Sequence, residues 1–431
     1  MKSQLIHADE LTRRRFIART ASAFLGVGLL PEVWSTEHAA AKTDDLQRPA
    51  TAKNVIYLYM AGGQSQLDTW DPKDITKVSG ATKPIPTSAD GLRISQYLSR
   101  TAKQMHHGTV IRSLTSTQGA HEQGVYYMHT SYKLVGTIRH PSMGAWLSFL
   151  QNGGNPTLPK SVFIGEASQH PGGGFFPSVH TPLFVNNPAN GIKNVNLPVG
   201  LSAQQFAARL GMSAKLDADF ITAFPQSEVK AYGDMYDQAV TMMKSADLKA
   251  FDLTQESTVT RKTYGDDAFG QGCLLARRLV EHGVRFVEVQ LGNWDTHSSN
   301  WVGTPKLCDI LDQALAALLA DLHQRGLLRD TLVVLATEFG RTPDINVNAG
   351  RDHYPQAFSG ALWGGGVKQG YIFGQTDEEG RAVEEKKITI PDFNATIATA
   401  LGLPLKQIIH SPDNRPFTIA DKGKPALDVF A

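Results

Sequence analysis

Asn54-Val-Ile-Tyr-Leu-Tyr-Met60, closed by Ala61-Gly62-Gly63, decides the fold. The run is short, apolar without alternation, rich in β-formers and stopped by glycines, the pattern of a strand buried on both faces of a parallel sheet. Working outward from it, Thr109–Leu114, Ser161–Gly165, Arg285–Leu291, Thr331–Thr337 and Phe358–Trp363 read as further strands, the last ended by Gly364-Gly365-Gly366. Helical patterns separate them over His121–Lys133, Ser142–Leu150, Asp267–His282 and Leu307–Leu322. A last one, Asp392–Leu401, is followed by Gly402 and Pro404. In Leu307–Leu322 the residues Leu307, Ile310, Leu311, Ala314, Leu315, Leu318, Leu319 and Leu322 fall on one face of a 3.6-residue period. Residues 166–200, rich in Gly, Pro and Asn, read as a long loop. Residues 201–260 read as polar helices of a substrate-side or capping kind, so 166–260 is an expected insertion. The alternation predicts an α/β fold with a mostly parallel sheet sandwiched between helices, in one domain over residues 42–431.

The N-terminus carries a separate message. Thr12-Arg13-Arg14-Arg15-Phe16-Ile17 precedes a moderately apolar stretch, Ala21–Leu30, and a small-residue cleavage site at Ala39-Ala40-Ala41. Lys2, Arg13, Arg14, Arg15 and Arg19 all come before the apolar run, which is signal-peptide order rather than the order of an amphipathic helix. Residues 1–41 resemble a twin-arginine export signal. That resemblance implies the twin-arginine machinery as a partner, and a periplasmic or extracellular mature protein, folded and loaded with any metal before export. Beyond the signal no apolar run reaches the ~20 residues that cross a bilayer. Forty-two basic against 41 acidic residues give no global charge to attract nucleic acid. Cys273 and Cys308 are the only cysteines; each sits in an apolar helical pattern, which leaves open one disulfide or two buried thiols.

In a parallel sheet, ligands bind beyond the carboxyl ends of the strands. The groups there are unusual. Gln64-Ser-Gln-Leu-Asp68-Thr-Trp-Asp71-Pro72 follows the first strand, and Gly292-Asn-Trp-Asp295-Thr-His297 follows Arg285–Leu291. Glu338-Phe-Gly-Arg341-Thr-Pro343 follows Thr331–Thr337, with Gly350-Arg351-Asp352-His353-Tyr-Pro355 beyond it. Asp68, Asp295, His297, Glu338, Asp352 and His353 are candidate ligands for a divalent metal, Zn, Ca, Mg or Mn. Arg341 and Arg351 suit a tetrahedral oxyanion. Each group also has a structural reading. Asp68, Asp71 and Asp295 are possible turn or helix caps. His297 is a possible buried, satisfied histidine, and Glu338 a possible salt-bridge partner of Arg341.

Taken in order, Asn54–Lys73, Trp294-Asp-Thr-His297, Thr337-Glu-Phe-Gly-Arg-Thr-Pro343, Gly350-Arg-Asp-His-Tyr-Pro355 and Gly364-Gly-Gly-Val-Lys-Gln-Gly370 resemble the DUF1501 family, placed in the alkaline phosphatase–sulfatase superfamily. The resemblance covers nearly the whole mature chain. It implies an alkaline-phosphatase-like fold. It also implies metal-dependent hydrolysis of sulfate or phosphate esters, small-molecule or polysaccharide; the alternative is a non-catalytic binding or scaffold protein on the same fold. By that resemblance Asp295 and His297 match a middle Asp/His pair and His353 a late histidine. Glu338-Phe339 stands where Asp-His is usual, and Ala61-Gly62-Gly63 replaces a first-strand aspartate, leaving Asp68 as the nearest substitute. Aligned with the sulfatase helix start, His121 takes the nucleophile's position and Val125 that of an arginine, so His121 is a candidate nucleophile or acid/base. Ser65, Ser116 and Thr117 are the remaining candidate hydroxyls. Formylglycine chemistry is excluded by the lack of a cysteine in that region.

Replacing both Arg13 and Arg14 with lysine is expected to hold the precursor in the cytoplasm, because the export receptor reads the guanidinium pair. Cell fractionation checks this, and normal export of the double variant refutes it.

Overall fold

A computed structural model describes residues 49–192, 200–223 and 227–431 of the chain. The export segment, 1–41, lies outside them. The strands of the main sheet are β1 (Asn54–Met60), β2 (Gly108–Thr115), β3 (Ser161–Ile164), β4 (Leu183–Val185), β5 (Phe286–Leu291), β6 (Thr331–Ala336), β7 (Phe358–Gly364), β8 (Tyr371–Phe373) and β9 (Ile388–Thr389). They form one nine-stranded sheet in the order β8-β2-β7-β6-β1-β5-β3-β4, with β9 beside β2. The helices of eight residues or more are α1 (His121–Thr130), α2 (Met143–Leu150), α3 (Ala203–Ala223), α4 (Ser227–Lys244), α5 (Ala268–Glu281), α6 (Asn300–Gln324) and α7 (Ile390–Ala400).

β1 lies between β5 and β6, parallel to both. A central strand must hide both faces, which is why its sequence is apolar throughout. Ile56, Leu58 and Met60 face one core with residues of α5 and α6, among them Leu274, Leu315 and Leu318. Val55, Tyr57 and Tyr59 face the other with Met128 of α1, Trp146 of α2 and Phe393 of α7. The period of two along the strand thus divides one run between two helical layers.

Three features depart from the sequence reading. β7 runs antiparallel to both neighbours, β6 and β2. The connection between β6 and β7 contains no helix to carry the chain back across the sheet, so β7 starts at the edge where β6 ends. Within the expected loop of 166–200, Leu183–Val185 adds a strand at the sheet's edge, too short for its pattern to register. α6 begins at Asn300, earlier than Leu307, and carries Pro305 inside it, where a proline more often marks a boundary. Cys273 and Cys308 are free, buried thiols. No helix among the described residues is long and apolar enough to cross a membrane.

Leu58 is completely buried between the sheet and the α5–α6 layer. Leu58→Ala is expected to cost about 2–5 kcal/mol of stability. Urea unfolding measures it; an unchanged midpoint contradicts this packing.

Candidate metal centre

Because β1, β2, β5 and β6 all point the same way, four segments meet at one edge: those after β1, β2 and β5, and the β6–β7 connection. That connection folds into a hairpin pairing Arg341 with His353 and Gly340 with Tyr354. Gly62 has φ +113°, and a Cβ there would lie 2.7 Å from the backbone nitrogens of Trp294 and Asp295. Only a glycine lets the chain after β1 approach the chain after β5 so closely. On α1, a Cβ at Gly124 would stand 3.0 Å from Glu338 Cβ, so the missing side chain brings the helix start against Glu338 and Phe339.

Three imidazoles converge on one carboxylate. Asp295 Oδ1 lies 3.1 Å from His297 Nε2 and 3.3 Å from His353 Nε2, and Asp295 Oδ2 lies 3.3 Å from His121 Nε2. Each Nδ1 is tied from behind: His121 donates to Glu338 Oε1 (2.9 Å), His297 to Asp352 Oδ1 (2.8 Å) and His353 to the Gly119 carbonyl (2.8 Å). These acceptors fix the proton on Nδ1 and turn the Nε2 lone pairs inward. His297 Nε2 and His353 Nε2 are 3.0 Å apart and cannot both carry a proton at that distance. His121 Nε2 is buried and makes no hydrogen bond. Lone pairs gathered round a carboxylate fit a divalent cation, and the nitrogen-rich donor set suits zinc or a similar transition ion better than Ca or Mg. Phe339 packs under His353 and His121, with ring centroids 4.5 and 5.1 Å away.

The electrostatics favour a cation. Burial opposes the charge on Asp295, but the Arg341 guanidinium outweighs it and holds the carboxyl down to about 2. The hydrogen bond to Glu338 pushes His121 above the ordinary histidine range. Burial pulls His353 below it.

The other expected site residues do different work. Glu338 is buried and accepts from Tyr59 Oη (2.9 Å), the Gly62 N–H (2.8 Å) and His121, so it orients a histidine instead of pairing with Arg341. Asp352 orients His297 in the same way. Asp68 stands apart from the cluster. It is fully buried and bonded to Arg351 Nε (2.7 Å), Ser65 Oγ (2.6 Å) and Asn300 Nδ2 (2.9 Å). Arg351 spends its remaining donors on the carbonyls of Thr342, Pro343 and Val78. Arg341, also fully buried, bonds Asp295, the carbonyls of Gly62 and Gly63, and that of Arg351. The expected grip of these two arginines on an oxyanion is therefore corrected: both guanidiniums are walled in and bonded to protein. Asp71 is buried against Lys73 and Arg112. α6 has Ser299, not Asp295, at its N-cap. Ser65, Ser116 and Thr117 bond Asp68 or Gln118 and not the cluster. Sequence reasoning missed Tyr59, Phe339 and the Gly119 carbonyl. A tyrosine hydroxyl inside a buried strand was the one available signal; a backbone carbonyl gives none.

The DUF1501 family, described as proteins of unknown function, matches residues 52–430. The chain belongs to this family. No curated protein matches its sequence. This DUF1501 protein is similar to the solved lipoteichoic acid synthase LtaP from Listeria monocytogenes (12% identity, 96% of this chain and 81% of that one, TM-score 0.42). It is also similar to the PsFucS1 sulfatase from Pseudoalteromonas sp. (13%, 88% and 76%, TM-score 0.39). A third is a protein in the alkaline phosphatase superfamily from Vibrio parahaemolyticus (10%, 90% and 72%, TM-score 0.38). The likeness is one of fold, a mostly parallel sheet between helices, and extends no further.

In this DUF1501 protein Arg351→Ala leaves the Asp68 carboxylate buried and unpaired. The loss is expected to reach about 3–5 kcal/mol, read by urea unfolding. An Arg351→Ala variant as stable as the wild type would show that this pair is not the framework bond described above.

Proposed function

We propose that this DUF1501 protein is an exported, metal-dependent hydrolase of phosphate or sulfate esters. In this reading His121, His297, His353 and Asp295 hold one divalent transition ion. The observation that carries the reading is the set of three histidines, each tied at Nδ1 and each turning Nε2 towards one carboxylate. A bound divalent ion supplies charge to polarise an ester oxygen and to acidify a water. The chain's own residues do the rest. Glu338, Asp352 and the Gly119 carbonyl keep the three rings in their ligand tautomer. Arg341 keeps Asp295 ionised and aimed. His297 and Asp295 are 45% and 44% exposed, so one side of the centre is open to a substrate. α1 starts at His121 after Ala120, which has no side chain to cap the first N–H groups; these can receive an anionic oxygen beside the centre.

A second reading has its own observation. Ser65, Ser116 and Thr117 are bonded away from the cluster and both arginines are buried, which supports a metal-binding protein without ester-transfer chemistry.

Metal analysis and titration of the exported protein separate the readings. One zinc-class ion per chain is expected. Asp352→Asn is expected to weaken it about 10–100-fold and His353→Ala more. A wild type that binds no ion ends both readings. If it binds the ion and hydrolyses 4-nitrophenyl phosphate or sulfate only when loaded, the hydrolase stands. Binding without turnover of any phosphate or sulfate ester leaves the second reading.

A further inference from the structure

A second group of titratable side chains lies wholly inside the protein. His129 is on α1, two turns beyond His121, and its side chain is 4% exposed, as is that of Glu288 on β5; His170 completes the group at 3%. His129 Nδ1 lies 2.7 Å from the Val125 carbonyl, and His129 Nε2 lies 2.7 Å from Glu288 Oε1. A carbonyl only accepts, and so does an ionised carboxylate, so with Glu288 ionised both ring nitrogens of His129 donate. On the other side of Glu288, His170 Nδ1 accepts the Gly172 N–H at 3.0 Å. That places the His170 proton on Nε2, 3.4 Å from Glu288 Oε2. One proton more than two neutral imidazoles contain satisfies every atom of the chain from Gly172 to Val125. The three side chains are spaced closely enough to suggest a metal, but the Gly172 N–H occupies the lone pair that His170 would need.

We propose that His129 is held as an imidazolium, a buried counter-charge that clamps α1 to β5 and thereby positions His121 against Asp295. The two elements it joins carry those two residues: α1 opens with His121, and β5 leads into Asp295. The other titratable groups facing His129 suit a cation. Tyr57 and Tyr59 on β1 lie 6.1 and 4.5 Å away, ring centroid to ring centroid. Burial keeps both phenols neutral, far above their ordinary range. Tyr59 Oη donates to Glu338, the carboxylate that holds His121 Nδ1, so negative charge lies on that side as well. Burial disfavours the charged form of His129, but Glu288 outweighs it. The reverse influence, with His170, holds Glu288 to about 2. The positioning half of the proposal rests on the metal reading above; the protonation half does not.

Two measurements on the full chain test it. The first is a ring-15N histidine spectrum from pH 6 to pH 9. One histidine is expected to stay protonated on both nitrogens to pH 9, and to vanish in His129→Gln. Its absence from the wild type overturns the protonated state, and so does its persistence in the variant. The second is titration with cobalt(II) at a temperature where circular dichroism finds each variant native. One equivalent is expected in the wild type, with about tenfold or greater weakening in His129→Gln. Unchanged affinity overturns the positioning role. Wild-type affinity restored in His129→Gln/Glu288→Gln, which pairs two neutral amides, reduces the role to packing and overturns the counter-charge. A second tight equivalent lost with His129 makes the group a metal site and overturns the proposal. A wild type that takes up no cobalt removes the metal reading and the positioning half with it, while the nitrogen spectrum still decides the protonation.

Discussion

Arg341 is the tie that gathers the strand ends into a site. Its guanidinium is fully buried and bonds the carbonyls of Gly62 and Gly63 after β1, the carboxylate of Asp295 after β5, and the carbonyl of Arg351 across the hairpin. A charge without water must be satisfied by protein. Satisfying this one draws three separate stretches of chain to one point. Arg351 does the same one layer further in, joining Asp68 to carbonyls of the hairpin and to Val78. The two arginines thus act through position: one aims Asp295, the other fixes the loop that presents Asp352 and His353.

Around that tie, charge is distributed with some economy. Asp295 faces Arg341, Glu288 faces the proposed His129 imidazolium, and Glu338 holds His121. Negative charge is thereby left in excess where the histidine Nε2 atoms meet, which is where a cation would be welcome. The three histidines are turned towards that point because each is held at Nδ1 by an oxygen. A site of this kind is set by outer partners as much as by ligands. Replacing Glu338 or Asp352 would leave every ligand in the sequence and still lose the geometry.

The strands that build the sheet were legible because burial on both faces writes a continuous apolar run, as in Asn54–Met60 and Thr331–Ala336. Leu183–Val185 was not, since three residues on a sheet's edge need no such run. The direction of β7 was also hidden: its residues would suit either orientation, and only the helix-free connection before it turns the chain back. Pro305 hid the first turns of α6, because a proline tolerated inside a helix looks the same in sequence as one that ends it.

For the site, the sequence by itself determined which groups end the strands. Carboxylates, histidines and arginines stand out after apolar runs, since unpaired charge is costly there. Only the tertiary structure decided the division of labour. Asp295, His297 and His353 turn towards one another with His121, while Glu338 and Asp352 hold histidines from behind and Asp68 pairs with Arg351 in the interior. The reason is physical. A carboxylate's role depends on what its oxygens reach, those partners lie up to hundreds of residues away in the chain, and composition and spacing carry no record of them.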